Sequence, residues 1–187
     1  MRTFVAIDIP NDIRRRIQEL LDVLKPASSG IRWTRADGLH VTLKFIGEIA
    51  AEQVEAVKIN LASVPTSSPI RIAIGGAGYF PNERSPRVIW LGIEGGPELA
   101  ALAAQMEESL YRLGIPKEKR LFSPHLTLGR LRSPHKITAI QELLRRREPL
   151  EFGSFVAQEF SLYESRLSPE GSQYLKIARF PIAGYEP

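Results

Sequence analysis

The chain contains no cysteine, which excludes disulfides, thiolate metal sites and a cysteine nucleophile together, whatever the redox compartment. Aspartate occurs only at Asp8, Asp12, Asp22 and Asp37, all in the first fifth of 187 residues, and histidine only at His40, His125 and His135. A dinuclear metallophosphatase gathers several Asp, His and Asn ligands around its ions, so this inventory argues against a metal site. No apolar run approaches the roughly 18 residues that span a bilayer. The opening MRTFVAIDIP has neither the basic region nor the apolar core of a secretory signal. A cytoplasmic protein without membrane contact is expected. No Gly-x-Ser-x-Gly turn is present to hold a serine nucleophile. Gly75-Gly76-Ala77-Gly78 lacks the Gly-Lys-Ser/Thr of a phosphate-binding loop. It interrupts a strand pattern instead and reads as a bulge or bend.

With 43% hydrophobic and 25% charged residues the chain is of globular composition, and its net charge of +4 favours an anionic partner without naming one. Strand patterns run over Thr3 to Ile9, Ile31 to Thr34, Leu39 to Ile46, Ile70 to Tyr79 and Arg87 to Ile93. Further ones cover Leu126 to Leu131, Phe152 to Tyr163 and Gln173 to Phe180. Helical spacing starts at Pro10-Asn11 with Ile13, Ile17, Leu20, Leu21 and Leu24 in step, and recurs over Ala51 to Val64, Pro97 to Leu113 and Ile137 to Arg147. Hairpin-like strand pairs favour antiparallel pairing. The expected fold is α+β, with residues 1–187 forming one bilobal domain. Its two lobes, related by a pseudo-two-fold axis, are mainly antiparallel sheet with outer helices and enclose an active-site cleft.

One short pattern occurs twice: His40-Val41-Thr42-Leu43 and His125-Leu126-Thr127-Leu128. On a strand, residues two apart project from the same face, so each copy presents an imidazole and a hydroxyl together. Strict alternation groups His40, Thr42 and Lys44 on one face and sends Val41, Leu43 and Phe45 to the core. One copy alone would read as a tolerated polar pair on an apolar strand. Two copies, one in each half, point to a shared site on the approximate axis. Two imidazoles of near-neutral pKa divide acid and base work in a phosphoester reaction, while the threonine hydroxyls donate to the non-bridging oxygens of the phosphoryl group. His135, after Ser133-Pro134, has no threonine two residues on and reads as a surface residue. The triplets Arg14 to Arg16 and Arg145 to Arg147 read as solvated helix faces. Arg130, just past the second motif, is a better phosphate contact, although alternation places it opposite His125.

At these residues the chain resembles the 2H phosphoesterases, in particular the RNA 2',3'-cyclic phosphodiesterase (2'-5' RNA ligase) branch. The resemblance rests on His40-Val41-Thr42-Leu43-Lys44-Phe45-Ile46-Gly47 and Pro124-His125-Leu126-Thr127-Leu128-Gly129-Arg130. Arg32-Trp33, Arg87-Val88-Ile89-Trp90-Leu91-Gly92 and Leu167-Ser168-Pro169-Glu170-Gly171 to Tyr174 add to it. It implies metal- and cofactor-independent hydrolysis of RNA 2',3'-cyclic phosphate ends, tRNA fragments among them, to 2'-phosphomonoesters, by a monomer. By the same analogy His40 is the general acid towards the 3'-oxygen and His125 the general base for water, while Thr42, Thr127 and Arg130 hold the phosphate. ATP-independent 2'-5' ligation is possible on the same residues. Alternatives are a phosphodiesterase for small cyclic phosphates or 2'-5' oligonucleotides, and a non-catalytic RNA-binding module.

Overall fold

In a computed structural model, described for residues 1–66, 68–133, 137–168 and 171–183, two antiparallel sheets meet and the helices pack against them. The chain runs β1 (Arg2–Asp8), α1 (Asn11–Leu24), β2 (Ile31–Trp33), β3 (His40–Glu48), α2 (Gln53–Ala62), β4 (Ile70–Phe80) and β5 (Val88–Glu94). It continues through α3 (Gly96–Tyr111), β6 (His125–Leu131), α4 (Thr138–Arg145), β7 (Glu151–Ala157), β8 (Glu159–Ser168) and β9 (Gly171–Pro181). The first sheet has the order β3-β1-β8-β9 and the second β2-β6-β5-β4-β7. No helix among the described residues is long and apolar enough to cross a membrane.

The two orders superimpose. In each sheet a motif strand, β3 or β6, lies beside the strand that opens its half of the chain, β1 or β5, and beyond these come β8 and β9 or β4 and β7. Among the described residues only β2 has no counterpart. The lobes are not the two halves of the sequence, however. The last strand of the first half, β4, pairs with β5 in the second sheet, and β8, late in the second half, pairs with β1 in the first. The expected single strand over Phe152 to Tyr163 is therefore two strands. The chain leaves the second sheet after Ala157 and enters the first at Glu159. At the glycine run the β4–β5 register slips between Gly75 and Ala77, and Gly76 has φ +64°, so the expected bulge is present.

Helix α1, which follows β1 of the first sheet, reaches β7 of the second, and α3 lies against both β3 of the first sheet and β4 of the second. Ile13, Ile17, Leu20, Leu21 and Leu24 of α1 are buried, and the Arg16 guanidinium donates to the Phe152 carbonyl of β7 at 2.9 Å. Leu99, Leu102, Ala103, Met106 and Leu110 of α3 are buried likewise, and Glu107 of α3 meets Lys44 of β3 at 2.8 Å. The Lys44 ammonium also donates to the Pro116 carbonyl at 2.8 Å, while Glu107 accepts the Glu118 N–H at 3.1 Å. One continuous apolar cluster, including Val5, Ile7, Val41 and Leu162 of the first sheet and Ile72, Ile89, Leu91 and Leu126 of the second, joins both lobes.

Lys44 is 2% exposed, and a buried cation is tolerable only with its partners in place. Lys44→Met should destabilise the fold by about 3 kcal/mol in urea titration, because it strands the Glu107 carboxylate. Adding Glu107→Gln, which removes that charge and keeps an acceptor for Glu118, should recover part of the loss.

Candidate active site

Both motif strands carry the same irregularity in the same place. Pairing between β1 and β3 steps from Val5 with Lys44 to Ala6 with Thr42, leaving Leu43 unpaired. Pairing between β5 and β6 steps from Ile89 with Gly129 to Trp90 with Thr127, leaving Leu128 unpaired. A one-residue bulge directly after each threonine shifts the alternation beyond it. Lys44 therefore turns into the core and Phe45 out of it, 54% exposed. This corrects the alternation-based assignment of both residues. Arg130 follows the second bulge as Phe45 follows the first, so it is exposed on the face of His125 and Thr127 rather than opposite them.

The register defines the two polar faces. On the first sheet His40 stands beside Asp8, Thr42 beside Ala6 and Phe45 beside Phe4. On the second His125 stands beside Gly92, Thr127 beside Trp90 and Arg130 beside Val88. The intervening Val41, Leu43, Leu126 and Leu128 are buried. β3 and β6 are neighbours where the sheets meet, so the two strands that carry the repeated motif lie side by side. His135 and part of the segment from Leu167 to Gly171 lie outside the described residues.

Both imidazoles are held through the main chain two residues earlier. The His125 Nδ1–H donates to the Ser123 carbonyl at 2.8 Å, which leaves Nε2 as the free ring nitrogen. His40 makes the matching hydrogen bond to the main chain of Gly38. The surroundings differ. The ring of His40 stacks on Phe4 at 4.6 Å between centroids and takes the edge of Tyr174 at 4.9 Å. His125 meets the edge of Phe80 at 5.0 Å and, at 6.3 Å, Trp90. Trp90 in turn fits over Gly78, where a Cβ would stand 2.1 Å from the indole. Burial in its aromatic surroundings lowers the His40 pKa to about 4, against the opposing pull of the Gly38 hydrogen bond and the Asp8 charge.

Several residues at this site carry no sequence signal beyond alternation on their strands. Burial raises the pKa of Asp8, but hydrogen bonds from Lys176 and Tyr163, with the charges of Lys176 and Arg14, outweigh it and hold the carboxylate below its usual range. Arg14, expected on a solvated face, donates to the carbonyls of Ile9 at 3.1 Å, Ala36 at 2.9 Å and Asp37 at 2.7 Å. It thereby braces the turn that delivers Gly38 to His40. Arg16 ties α1 to β7 while remaining exposed, so Arg15 and Arg16 lie on a solvated face as read and Arg14 does not. In the second triplet Arg145 reaches Glu83, Arg146 reaches Glu142 and Arg147 donates to the Leu143 carbonyl, all exposed.

The chain is similar to known proteins. The family model for LigT-like phosphoesterases matches twice, over residues 7–90 and 91–174, one match for each motif. A protein of Archaeoglobus fulgidus named RNA 2',3'-cyclic phosphodiesterase is 35% identical over 96% of this chain and 99% of its own length. A protein of the same name from Methanothermobacter thermautotrophicus is 32% identical over 97% and 99%. Among solved structures, a protein of Thermus thermophilus superimposes with a TM-score of 0.81 at 29% identity over the whole of both chains. LigT of E. coli complexed with 3'-AMP gives 0.80 at 30% identity, covering 97% of this chain and 98% of that one.

The depressed pKa of His40 has a consequence for stability. Between about pH 6.5 and 4 the unfolded chain binds a proton at His40 that the folded chain refuses, so folding weakens as pH falls through that window. His40→Gln should flatten this part of the stability profile, measured as the urea midpoint at successive pH values. An unchanged slope would show that His40 is not desolvated in solution.

Proposed function

Because the chain belongs to the LigT-like, two-histidine phosphoesterase family, we propose that it opens 2',3'-cyclic phosphates at RNA ends to 2'-phosphomonoesters. The observation that carries this reading is the pair of equivalent strands, each bearing His-x-Thr and a bulge, drawn from two sheets with matching strand order. In-line displacement at phosphorus needs a base and an acid on opposite sides of the reacting centre, and a pseudo-two-fold pair of imidazoles provides them.

In this mechanism His125 takes a proton from water as the water oxygen bonds to phosphorus. The P–O3' bond breaks, and His40 delivers a proton to the departing 3'-oxygen. Thr42 and Thr127 donate to the non-bridging oxygens, where negative charge is concentrated, and Arg130, now on the same face but about 7 Å further along the strand, adds positive potential to the phosphate from there. A 5'-hydroxyl in place of water would yield a 2'-5' linkage by the same transfers. The residues cover proton transfer and charge without a metal or nucleotide. Phe45, exposed beside Phe4, offers a ring on which a base can stack. The apolar cluster shared by both lobes and the ties from α1 and α3 support one bilobal domain, which we read as a monomer acting on cytoplasmic RNA ends such as tRNA fragments.

His40 needs a proton that its surroundings resist. The negative charge of a bound phosphate, acting in the same poorly polarisable pocket, favours the imidazolium, so proton and phosphate bind together.

The direct test is phosphorus NMR on an RNA oligomer ending in a 2',3'-cyclic phosphate, with EDTA present. Wild type should yield the 2'-phosphate, and His40→Ala and His125→Ala should each lower kcat by about 10²- to 10⁴-fold. A cyclic phosphate left intact by the wild type would sink the reading. The coupled uptake predicts a second result. Above about pH 4, the affinity for inorganic phosphate as a competitive inhibitor should weaken as pH rises, by up to tenfold per unit, until the pKa of His40 in the complex is passed. A pH-independent inhibition constant, after correction for phosphate's own ionisation, would contradict it.

A further inference from the structure

β2 is the one strand that breaks the match between the sheets, and of its three residues only Arg32 faces the side of His125 and Thr127. Ile31 and Trp33 turn the other way and clamp Gly129, where a Cβ would stand 2.7 Å from Ile31 Cγ2 and 2.9 Å from Trp33 Cε3. Arg32 pairs directly with Arg130. Directly opposed side chains have Cβ atoms about 5 Å apart, and like charges so placed destabilise a sheet. Both arginines are exposed, and neither meets a carboxylate among the described residues, where the ion pairs involve other cations. A like-charge pair left without a counter-ion, on the polar face of a site for phosphate esters, is suited to an anion.

Its place along the strand indicates which anion. Thr127 is opposed by Trp90 and Arg130 by Val88, two residues apart on β5, so the arginine pair lies about 7 Å beyond the threonine. That is a step of the order of one nucleotide along an extended strand. The equivalent position on the first sheet holds Phe45 and has no added strand beside it. One wall is therefore aromatic and the other cationic.

Resting on the function proposed above, we infer that Arg32 and Arg130 form a second phosphate subsite, which takes the phosphate on the 5'-oxygen of the nucleotide bearing the cyclic phosphate. In RNA this is the last internucleotide phosphate. The subsite makes the enzyme selective for the end of a chain over a free nucleoside cyclic phosphate, and Arg32 is a specificity-determining residue.

The test compares kcat/KM for three substrates: a nucleoside 2',3'-cyclic phosphate, the same compound carrying a 5'-phosphate, and a dinucleotide ending in the cyclic phosphate. Wild type should favour both phosphate-bearing substrates by about tenfold or more over the first. Arg32→Gln should collapse that ratio, and the slope of log KM against log salt for the dinucleotide should become shallower by about 0.7. Arg32→Lys, which keeps the charge, should restore part of the ratio. Arg15→Gln, the same charge change on an exposed helix face, should leave it intact. A gain confined to the dinucleotide would mean that the chain, not the 5'-phosphate, is recognised and would overturn the subsite. Equal turnover of all three substrates, or a ratio unmoved in Arg32→Gln, would overturn it while leaving the hydrolase reading in place. Failure of wild type to turn over any of them would remove both.

Discussion

The site depends on a single backbone irregularity repeated in two strands. A regular β3 would carry His40, Thr42 and Lys44 on the polar face and bury Phe45. The bulge after Thr42 exchanges the last two. One residue of slack thus turns an ammonium inward to its partner on α3 and a benzyl ring outward. In β6 the same slack buries Gly129, where β2 needs close approach, and turns Arg130 towards the histidine face. The polar face and the packing behind it are set by the same event.

The symmetry is real in the backbone and broken in the side chains. Apart from the added β2, each motif strand has equivalent neighbours in the same order, and each imidazole bonds to the main chain two residues back. Around that common frame His40 is enclosed by Phe4 and Tyr174 and flanked by Asp8, whereas His125 stands beside Gly92 and Phe80. Two imidazoles take up acid and base roles when they hold different protonation states, and unlike surroundings separate those states. The difference lies in what surrounds each ring, since the rings themselves are the same.

Much of this is legible in the residues. The repeated His-x-Thr marks the two strands, helical spacing marks α1 with all five of its in-step apolar positions buried, and the glycine run marks the bulge in β4. Phe152 to Tyr163 reads as one strand because two short strands joined at Gln158 keep one apolar pattern even though they belong to different sheets. Alternation puts Lys44 and Phe45 on the wrong faces because a bulge has no residue signature here; Leu43 and Leu128 look like ordinary strand leucines. Arg14 reads as solvated because charge on a helix usually is, and only the fold brings three carbonyls to its guanidinium.

The pairing of β1 with β8 sets a timetable. Asp8 and Tyr163 are hydrogen-bonded across 155 residues of chain, and β1 has one ladder edge that only β8 fills. As the polypeptide leaves the ribosome, N-terminus first, β1 can pair with β3 early but must wait for β8 to close its second edge. The second sheet, complete once residue 157 is out, can form before the first. The first sheet is thus started early and closed late, with the second sheet able to form in between.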